Sequence, residues 1–363
     1  MGTKQEDHAL KALTVFVPTL LSVLSLSEIL ARAIHPGAMA SFVENVGNAK
    51  ISISDALSNF EQTEWPSDWE EVKNRLDFAG NKAVECFSEL DEALKKNSSD
   101  QIYSIYRAFR HQAQALEALY PLAAALPPVN RFFVLDKYRQ DGSLLDALAA
   151  RETDVTGLFH AENERKQRGG VSLYVPETYD PAIPMPVVFA LHGGSGHGRS
   201  FIWSWLRAAR SFGAILVCPT SQDATWSLLE PEQEAGRLYQ LLDRLSAQWA
   251  IRRDKLLLTG MSDGGTFSYV AGLEGRCPFT HLAPMAASFH PMLAAYADPA
   301  RVAGLPIYIT HGALDWMFAA DMAFSAADAF RAGGANVTLD VVEDLSHTFP
   351  SEKTEDILTW FLA

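Results

Sequence analysis

Two stretches in the first 150 residues carry apolar side chains at steps of three and four residues, with polar residues between them. This spacing puts the apolar side chains on one face of an α-helix, the face that packs against a core. A short polar turn joins the two stretches, so we predict an antiparallel pair of long helices within a bundle. The apolar positions are Trp69, Val72, Leu76, Ala79, Ala83, Cys86, Leu90 and Leu94 in the first stretch and Ile102, Ile105, Phe109, Ala113, Leu116, Tyr120 and Ala123 in the second.

Further signals extend the helical prediction over the whole of residues 1–150. A mostly apolar run at residues 15–26 predicts a helix that begins near Pro18 and ends at the stop signal His35-Pro36-Gly37. The tetrapeptide at residues 67–70, Ser-Asp-Trp-Glu, has the pattern of a capping box and is predicted to begin the first long helix. We therefore predict an all-α helical domain for residues 1–150.

The apolar run at residues 15–26 is also compared with a signal peptide and a membrane span. Residues 31–33, Ala-Arg-Ala, resemble a cleavage site, but acidic residues balance the lysines of the leading segment, which therefore lacks a positive bias. The run contains Pro18 and is too short to span a bilayer. We interpret it as a helix of the N-terminal domain and expect a cytoplasmic protein with no stable membrane insertion, with a secreted or periplasmic location as the alternative.

Strand-like and helix-like runs alternate from residue 171 to the end of the chain. This alternation is typical of a doubly wound, mostly parallel sheet with helices on both faces. The polar and charged residues 151–170 predict a linker, so we expect an α/β domain over residues 171–363 after the helical domain. The predicted strands are residues 171–175, 187–191, 214–218, 255–259, 282–287, 306–310 and 337–342.

One predicted strand, residues 255–259, runs directly into Gly260-Met261-Ser262-Asp263-Gly264-Gly265. A Gly-x-Ser-x-Gly pattern between a strand and a helix is typical of a nucleophile elbow. Glycines let the strand and the helix pass closely, and the tight turn exposes the serine hydroxyl beside the positive end of the helix. We predict that Ser262 is a nucleophile.

A serine hydroxyl is a weak nucleophile that needs a base, and the base needs a carboxylate to orient it. In elbow enzymes these residues follow in the order Ser, acid, His. Asp315 and His347 each lie in a loop just beyond a predicted strand, and we predict them as the acid and the base. The competing carboxylates are poorer candidates, because Asp340 lies within a strand, Asp344 is too close to His347 in sequence and Asp321 falls in a helix.

A glycine-rich loop, His192-Gly193-Gly194-Ser195-Gly196, follows the predicted strand at residues 187–191. Glycines there let backbone N–H groups approach a substrate oxygen. We predict an oxyanion hole made by the amide of Asp263 and the amide of either Gly194 or Ser195. Phosphate binding is the other use of such a loop, but the Gly-Lys-Ser/Thr ending of a P-loop is missing.

Several large side chains fall in or near the predicted site loops and suggest an apolar or aromatic substrate pocket. Tryptophans are core residues at least as often, so the packing interpretation stays open for each. The residues assigned to the pocket are Trp226, Trp316, Met317, Phe318 and His290.

The net charge of −14 is spread over both halves of the 363-residue chain, and no basic stripe is present. This excludes the usual electrostatic basis for binding nucleic acid or an anionic lipid surface. Three cysteines form no disulfide framework, and their odd number favours reduced thiols. The spacing of histidines and cysteines matches no metal site, so we expect neither a metal nor an organic cofactor.

Several segments of the second half follow one another in an order known from one enzyme superfamily. They are Leu173-Tyr174-Val175-Pro176, Leu191-His192-Gly193-Gly194, Gly260-Met261-Ser262-Asp263-Gly264-Gly265, His311-Gly312-Ala313-Leu314-Asp315 and Ser346-His347-Thr348-Phe349-Pro350. Residues from about 160 to 363 thus resemble the α/β-hydrolases, and among them the small phospholipase/carboxylesterase branch, in the style of polyhydroxybutyrate depolymerases and feruloyl esterases. The resemblance implies that Ser262, Asp315 and His347 are nucleophile, acid and base in the hydrolysis of a small-molecule carboxylic ester through an acyl-enzyme. It does not extend to residues 1–150.

The resemblance leaves the helical domain and the choice of substrate open. Many relatives carry a helical cap after the sixth strand, whereas only residues 287–305 separate the corresponding strands here. Residues 1–150 could cover the active site instead, or could form a homodimer. A serine peptidase or amidase with the same triad, and a non-catalytic hydrolase-like scaffold with a helical interaction module, are the alternatives to an ester hydrolase.

Overall fold

A computed structural model describes residues 4–96, 100–150 and 152–363. The chain divides into two compact units, Met1–Ala149 and Ala150–Ala363. The first unit is helical, as predicted. Its α-helices are α1 (Lys4–Arg32), α2 (Met39–Glu61), α3 (Glu70–Leu94), α4 (Gln101–Ala108), α5 (Arg110–Leu119), α6 (Pro127–Phe132) and α7 (Gly142–Ala147), with 3-10 turns at Ser67–Trp69, Tyr120–Ala124 and Asp136–Tyr138.

The core of the helical unit forms where α1, α2 and α3 pass close together. Gly80 on α3 permits this approach, because a Cβ there would lie 2.7 Å from Cζ of Phe16 and 2.9 Å from Cδ1 of Leu57. The Phe16 ring stacks on Phe60 with a centroid distance of 4.3 Å. The predicted apolar stripe of α3 is buried at five of its eight positions: Leu76, Ala79, Ala83, Cys86 and Leu90.

Helix α1 is longer at its amino end than the sequence predicts, since it begins at Lys4 and contains Pro18 in its interior. A proline inside a helix costs about 3 kcal/mol, and burial of Phe16, Val17 and Leu20 around it offsets that cost. The expectation that this segment is too short to span a bilayer is wrong. By length and composition alone the 29-residue helix could cross a membrane. However, 44% of its most apolar 18-residue window is buried.

Two further details of the helical unit differ from the predictions. The capping box at residues 67–70 does not form, because a 3-10 turn precedes α3 and the residue before the helix, Trp69, makes no side-chain capping hydrogen bond. The second long helix is divided into α4 and α5 at Phe109, whose backbone stays near the helical region at φ −67° and ψ −9°. Residues 97–99, part of the polar turn predicted between the two long helices, lie outside the described residues.

The second unit is an eight-stranded sheet with helices on both faces, which confirms the predicted α/β-hydrolase class. The strands are β1 (Gly157–Ala161), β2 (Val171–Val175), β3 (Met185–Leu191), β4 (Ile215–Pro219), β5 (Ile251–Met261), β6 (His281–Met285), β7 (Pro306–Gly312) and β8 (Asn336–Val342). The helices are α8 (Gly198–Phe212), α9 (Pro231–Gln248), α10 (Asp263–Gly272), α11 (Met292–Ala295), α12 (Pro299–Val302), α13 (Asp321–Ala332) and α14 (Lys353–Leu362).

The strand order is β1-β2-β4-β3-β5-β6-β7-β8, and every pair from β4 to β8 is parallel. The chain leaves β3 toward β4 on one side and returns to β5 on the other. This reversal makes the carboxyl ends of β3 and β5 the switch point at which ligands of such sheets bind. The central strands are buried on both faces, which explains their nearly continuous apolar sequences.

Part of the segment predicted as a linker, residues 151–170, belongs to the sheet. Strand β1 pairs with β2 in antiparallel register, with Phe159 opposite Leu173. The Phe159 ring packs on Trp249 at a centroid distance of 6.1 Å. The prediction of a linker is wrong at residues 157–161, because an edge strand needs only a few apolar residues and its polar neighbours hide it in the sequence.

Candidate active site

The nucleophile elbow forms where predicted, between β5 and α10. Ser262 has φ 56° and ψ −121°, a region that residues with a side chain rarely adopt. Gly264 allows the close passage, because a Cβ there would collide with the carbonyl groups of Leu191 and His192 at the end of β3. The Ser262 amide donates to the carbonyl of Met285 on β6 at 2.9 Å, so the neighbouring strand fixes the strained turn.

The structure brings Ser262, His347 and Asp315 together at the carboxyl edge of the sheet. Nε2 of His347 lies 2.9 Å from Oγ of Ser262, and its Nδ1 lies 2.8 Å from Oδ2 of Asp315. All three residues are buried, each with less than a tenth of its surface exposed. An imidazole between a hydroxyl and a carboxylate can take the hydroxyl proton while the carboxylate holds its tautomer.

The loop after β7 holds the Asp315 carboxylate with backbone groups. Oδ1 accepts from the amides of Met317 at 2.9 Å and Phe318 at 2.8 Å, which leaves Oδ2 for His347. Burial raises the pKa of Asp315, but its hydrogen bonds outweigh that effect. Among these hydrogen bonds the one from His347 lowers the pKa most, and the one from the amide of Phe318 comes next. The pKa of the Asp315 carboxyl therefore lies below its usual value.

His311 supports this loop through its ring. Its Nε2 donates to the carbonyl of Phe318 at 2.8 Å and lies 3.5 Å from Oδ2 of Asp315. The competing carboxylates bond elsewhere: Asp340 accepts from Lys353, and Asp321 is the first residue of α13.

The loop after β3, residues 192–197, carries the predicted oxyanion donors and is called the oxyanion loop below. A Cβ on Gly193 would lie 3.4 Å from Cβ of Ser262, so the loop passes directly beside Ser262. Of the two alternatives predicted, the Ser195 amide already donates to the carbonyl of Ala224 at 2.7 Å. The prediction of Ser195 as a donor is therefore wrong, and Gly194 is the candidate that remains with Asp263.

A second loop, residues 220–226 after β4, holds the oxyanion loop and is called the support loop. Besides Ala224, it contributes the indole N–H of Trp226, which donates to the carbonyl of His192 at 2.8 Å. It also contributes the hydroxyl of Thr225, which donates to Oδ2 of Asp263 at 2.5 Å. The same carboxylate oxygen would lie 2.7 Å from a Cβ on Gly194, so Asp263 borders both donors of the predicted oxyanion hole.

The His192 ring links the two loops in one fixed tautomer. Nδ1 donates to the carbonyl of Gly193 at 2.7 Å, and Nε2 accepts from the amide of Ser221 at 3.1 Å. A proton on Nε2 would face the N–H of Ser221. Burial lowers the pKa of His192 to about 4, and the nearby charge of Arg168 acts in the same direction. His192 is therefore neutral at physiological pH.

Two of the predicted pocket residues have other roles. Trp226 is 3% exposed and stacks on Phe267 at 5.6 Å, so it is a core residue that supports the oxyanion loop. His290 is exposed, and its Nδ1 accepts from the amide of Met292 at the start of a short helix. Trp226 does not line the pocket, because a large aromatic ring lowers the free energy of folding most when it is fully buried.

The other three predicted pocket residues follow Asp315 in the loop after β7, and two of them lie close to His347. The ring of Phe318 meets His347 edge to face at 5.2 Å, and the ring of Trp316 lies 6.3 Å from it. Trp316 is 37% exposed and the adjacent Met317 is 40% exposed. Trp316 and Phe318 thus place apolar rings next to His347, which is consistent with their assignment to the pocket.

The sequence reasoning missed Arg168, which lies in the segment interpreted as a linker. Its guanidinium donates to the carbonyls of Gly196 in the oxyanion loop and Ser221 in the support loop. A lone arginine between polar residues carries no sequence signal for this role. Within the three described ranges, no group of three His, Cys, Asp or Glu side chains could hold a metal ion.

The family model of the dienelactone hydrolases matches residues 219–358, the part of the chain that contains Ser262, Asp315 and His347. Feruloyl esterase C of Emericella nidulans is 22% identical over 190 residues, which cover 50% of this chain and 68% of that protein. Among solved structures, a thermostable esterase has a TM-score of 0.46 and 16% identity over 58% of this chain. The match spans 63% of the length of that esterase.

An S-formylglutathione hydrolase from Agrobacterium tumefaciens gives a TM-score of 0.46 and 17% identity, over 58% of this chain and 97% of its own. The order and direction of the strands and the matched family model concern the second unit, and the fungal esterase adds a similarity in sequence. Together they identify the chain as an α/β-hydrolase, a carboxylesterase-like enzyme with an additional helical unit at its amino end.

Proposed function

We propose that this enzyme cleaves small carboxylic esters through an acyl-enzyme formed on Ser262. The observation that carries the proposal is the pair of hydrogen bonds from His347, 2.9 Å to the Ser262 hydroxyl and 2.8 Å to the Asp315 carboxylate. His347 takes the hydroxyl proton as Oγ attacks the ester carbonyl, and then gives that proton to the departing alcohol. Water, activated by the same imidazole, releases the acid and restores Ser262.

The oxyanion that forms in each half-reaction needs donors already in place. The amides of Asp263 and Gly194 are the proposed donors, because Asp263 begins α10 and the glycine loop passes beside Ser262. Loss of one such donor costs about 3–4 kcal/mol of transition-state stabilisation. The positive end of α10 adds to the same electrostatic effect.

The acyl group is proposed to be apolar, aromatic groups included. Trp316 and Phe318 flank His347, and Trp316 and Met317 are partly exposed although apolar. Such a surface lowers the free energy of an apolar group that leaves water, by about 25 cal/mol per Å² buried. The name of the fungal relative, a feruloyl esterase, also supports an aromatic acyl group.

A fluorophosphonate probe tests the nucleophile, because it reacts with an activated serine hydroxyl and not with ordinary serines. We expect stoichiometric labelling of the full-length protein, mapped to Ser262 by mass spectrometry, and no labelling of Ser262→Ala. Ser246→Ala on α9 is the matched control, since its hydroxyl only bonds the carbonyl of Leu242. Absence of labelling in the folded wild type would refute the proposal.

A substrate panel then separates ester from amide hydrolysis. It contains p-nitrophenyl esters of increasing acyl length, methyl esters of hydroxycinnamic acids and the matching anilides, with Ser262→Ala as the blank. We expect kcat/KM to rise with the apolar area of the acyl group and to be far higher for esters than for anilides. Faster anilide cleavage would instead favour the peptidase or amidase alternative.

A further inference from the structure

Arg168 bridges the two loops around the proposed oxyanion hole. Its Nη1 donates to the carbonyl of Gly196 at 2.6 Å, and its Nε donates to the carbonyl of Ser221 at 3.2 Å. Its Nη2 donates to the hydroxyl of Ser221 and to the carbonyl of Asp223. One rigid, planar group thereby fixes the oxyanion loop to the support loop.

The hydrogen bonds of Arg168 go to backbone carbonyls and a hydroxyl rather than to a carboxylate. An arginine used for charge alone pairs with Asp or Glu, whereas the guanidinium fork here satisfies acceptors at fixed positions in two loops. The position of Gly196 matters for the site, because its amide donates to the carbonyl of Gly193 at 3.0 Å and closes the turn that contains Gly194.

The support loop then carries the constraint back to the nucleophile. Ala224 accepts from the amide of Ser195, which is next to Gly194 in the chain, and Thr225 donates to the carboxylate of Asp263. The chain neighbour of Gly194 and the side chain of Asp263 are therefore each held by a residue within two positions of Asp223, an Arg168 contact. A displacement of about 1 Å at such donors is enough to slow catalysis about 100-fold.

We infer that Arg168 is a positioning residue that sets the oxyanion hole by clamping residues 193–196 to residues 221–225. Its hydrogen bonds go to Gly196, Ser221 and Asp223 rather than to Ser262, Asp315 or His347, so it acts through the amide of Gly194. The inference rests on the proposed serine esterase function and adds to it a residue from outside the motifs of the elbow, the acid and the base.

The test compares Arg168→Gln and Arg168→Lys with a matched control, Arg301→Gln. Arg301 makes the same kind of bridge, from its Nε to the carbonyl of Gly272 and from its Nη2 to that of Phe279, both at 2.8 Å. That bridge joins the carboxyl end of α10 to the loop before β6, away from Ser262. The two glutamine variants remove comparable structural bonds, so a difference in catalysis reports on the oxyanion hole.

We expect Arg168→Gln to lower kcat for an aryl ester by about 10- to 100-fold with KM changed less than about threefold, because the lost interaction acts in the transition state. Binding of an aryl trifluoromethyl ketone, which forms a tetrahedral oxyanion on the serine, should weaken by the same factor as kcat/KM. Arg168→Lys should recover only part of kcat, since an ammonium cannot bridge as a fork does. Arg301→Gln should retain both the wild-type kcat and the wild-type inhibitor affinity.

Three outcomes would overturn the inference: an unchanged kcat in both Arg168 variants, an equal loss in Arg301→Gln, or a higher KM with unchanged kcat. If Arg168→Gln does not fold, the lysine variant alone decides between a retained and a reduced kcat. The proposed function fails separately, because a wild-type protein that neither hydrolyses esters nor reacts with a fluorophosphonate would refute the enzyme itself before any variant is compared.

Discussion

The neutral imidazole of His192 makes a quantitative prediction about acid stability. Its ring is buried, donates to Gly193 and accepts from Ser221, and its pKa is lowered to about 4. The unfolded chain has the ordinary value of about 6.5. Between these values the unfolded state binds a proton that the folded state does not, so stability falls as the pH falls. The full difference corresponds to about 3 kcal/mol, at roughly 1.4 kcal/mol per pKa unit.

The perturbation is His192→Gln, which keeps one donor and one acceptor but does not titrate. Urea unfolding would be followed by tryptophan fluorescence at several values between pH 7 and pH 4.5, with both proteins measured in the same buffers. Other titrating groups, such as His281 with its pKa lowered to about 4, contribute equally and cancel in the difference.

We expect the variant to be the less stable protein at pH 7, because the ring contact with Trp226 is lost. The difference in the free energy of unfolding between the wild type and the variant should then shift by about 2–3 kcal/mol in favour of the variant as the pH falls to 4.5. A constant gap over this range would refute the reasoning, since it would mean that His192 titrates alike in the folded and unfolded chains.

Two further predictions concern the acid and the elbow. Asp315→Asn should lower kcat by about 10³–10⁴, because an amide holds the wrong tautomer of His347; steady-state assays check this, and a loss below tenfold would contradict the assigned role. Gly264→Ala should fail to fold or lose several kcal/mol in urea unfolding, because its Cβ meets the carbonyl of Leu191. Gly236→Ala on α9 has open space around the new methyl group and should instead gain about 0.5–1 kcal/mol; equal stability of the two variants would show that close passage at the elbow is not needed.

The sequence predicts those parts of the enzyme that depend on local pattern. Strands that are buried on both faces have apolar sequences, which is why β2 to β7 are found within a few residues, whereas the edge strand β8 is found from its alternating pattern. The elbow and the two loop residues Asp315 and His347 could be found because a parallel sheet brings the carboxyl ends of its strands to one edge. The structure brings these side chains together, and their catalytic roles stay predictions until the assays above are done.

Features that depend on tertiary contact were not predictable. Strand β1 is held by pairing with β2, Ser195 is excluded as a donor by the carbonyl of Ala224, and Arg168 reaches over more than fifty residues to the support loop. Helix α1 continues through Pro18 because buried neighbours offset the local cost. The cytoplasmic location, the homodimer and the use of residues 1–150 as a cover stay predictions.

The turn after β7 has a consequence for how such an enzyme can change its substrate. Met317 and Phe318 hold the Asp315 carboxylate through their main-chain amides, so these two hydrogen bonds do not involve their side chains. A change of side chain at position 317 therefore leaves in place the two peptide groups that orient the acid, unless it removes an N–H. Proline is the exception, because Met317→Pro would delete one of the two amides that hold the Asp315 carboxylate. Substrate specificity can therefore change through any residue at position 317 that has a backbone N–H.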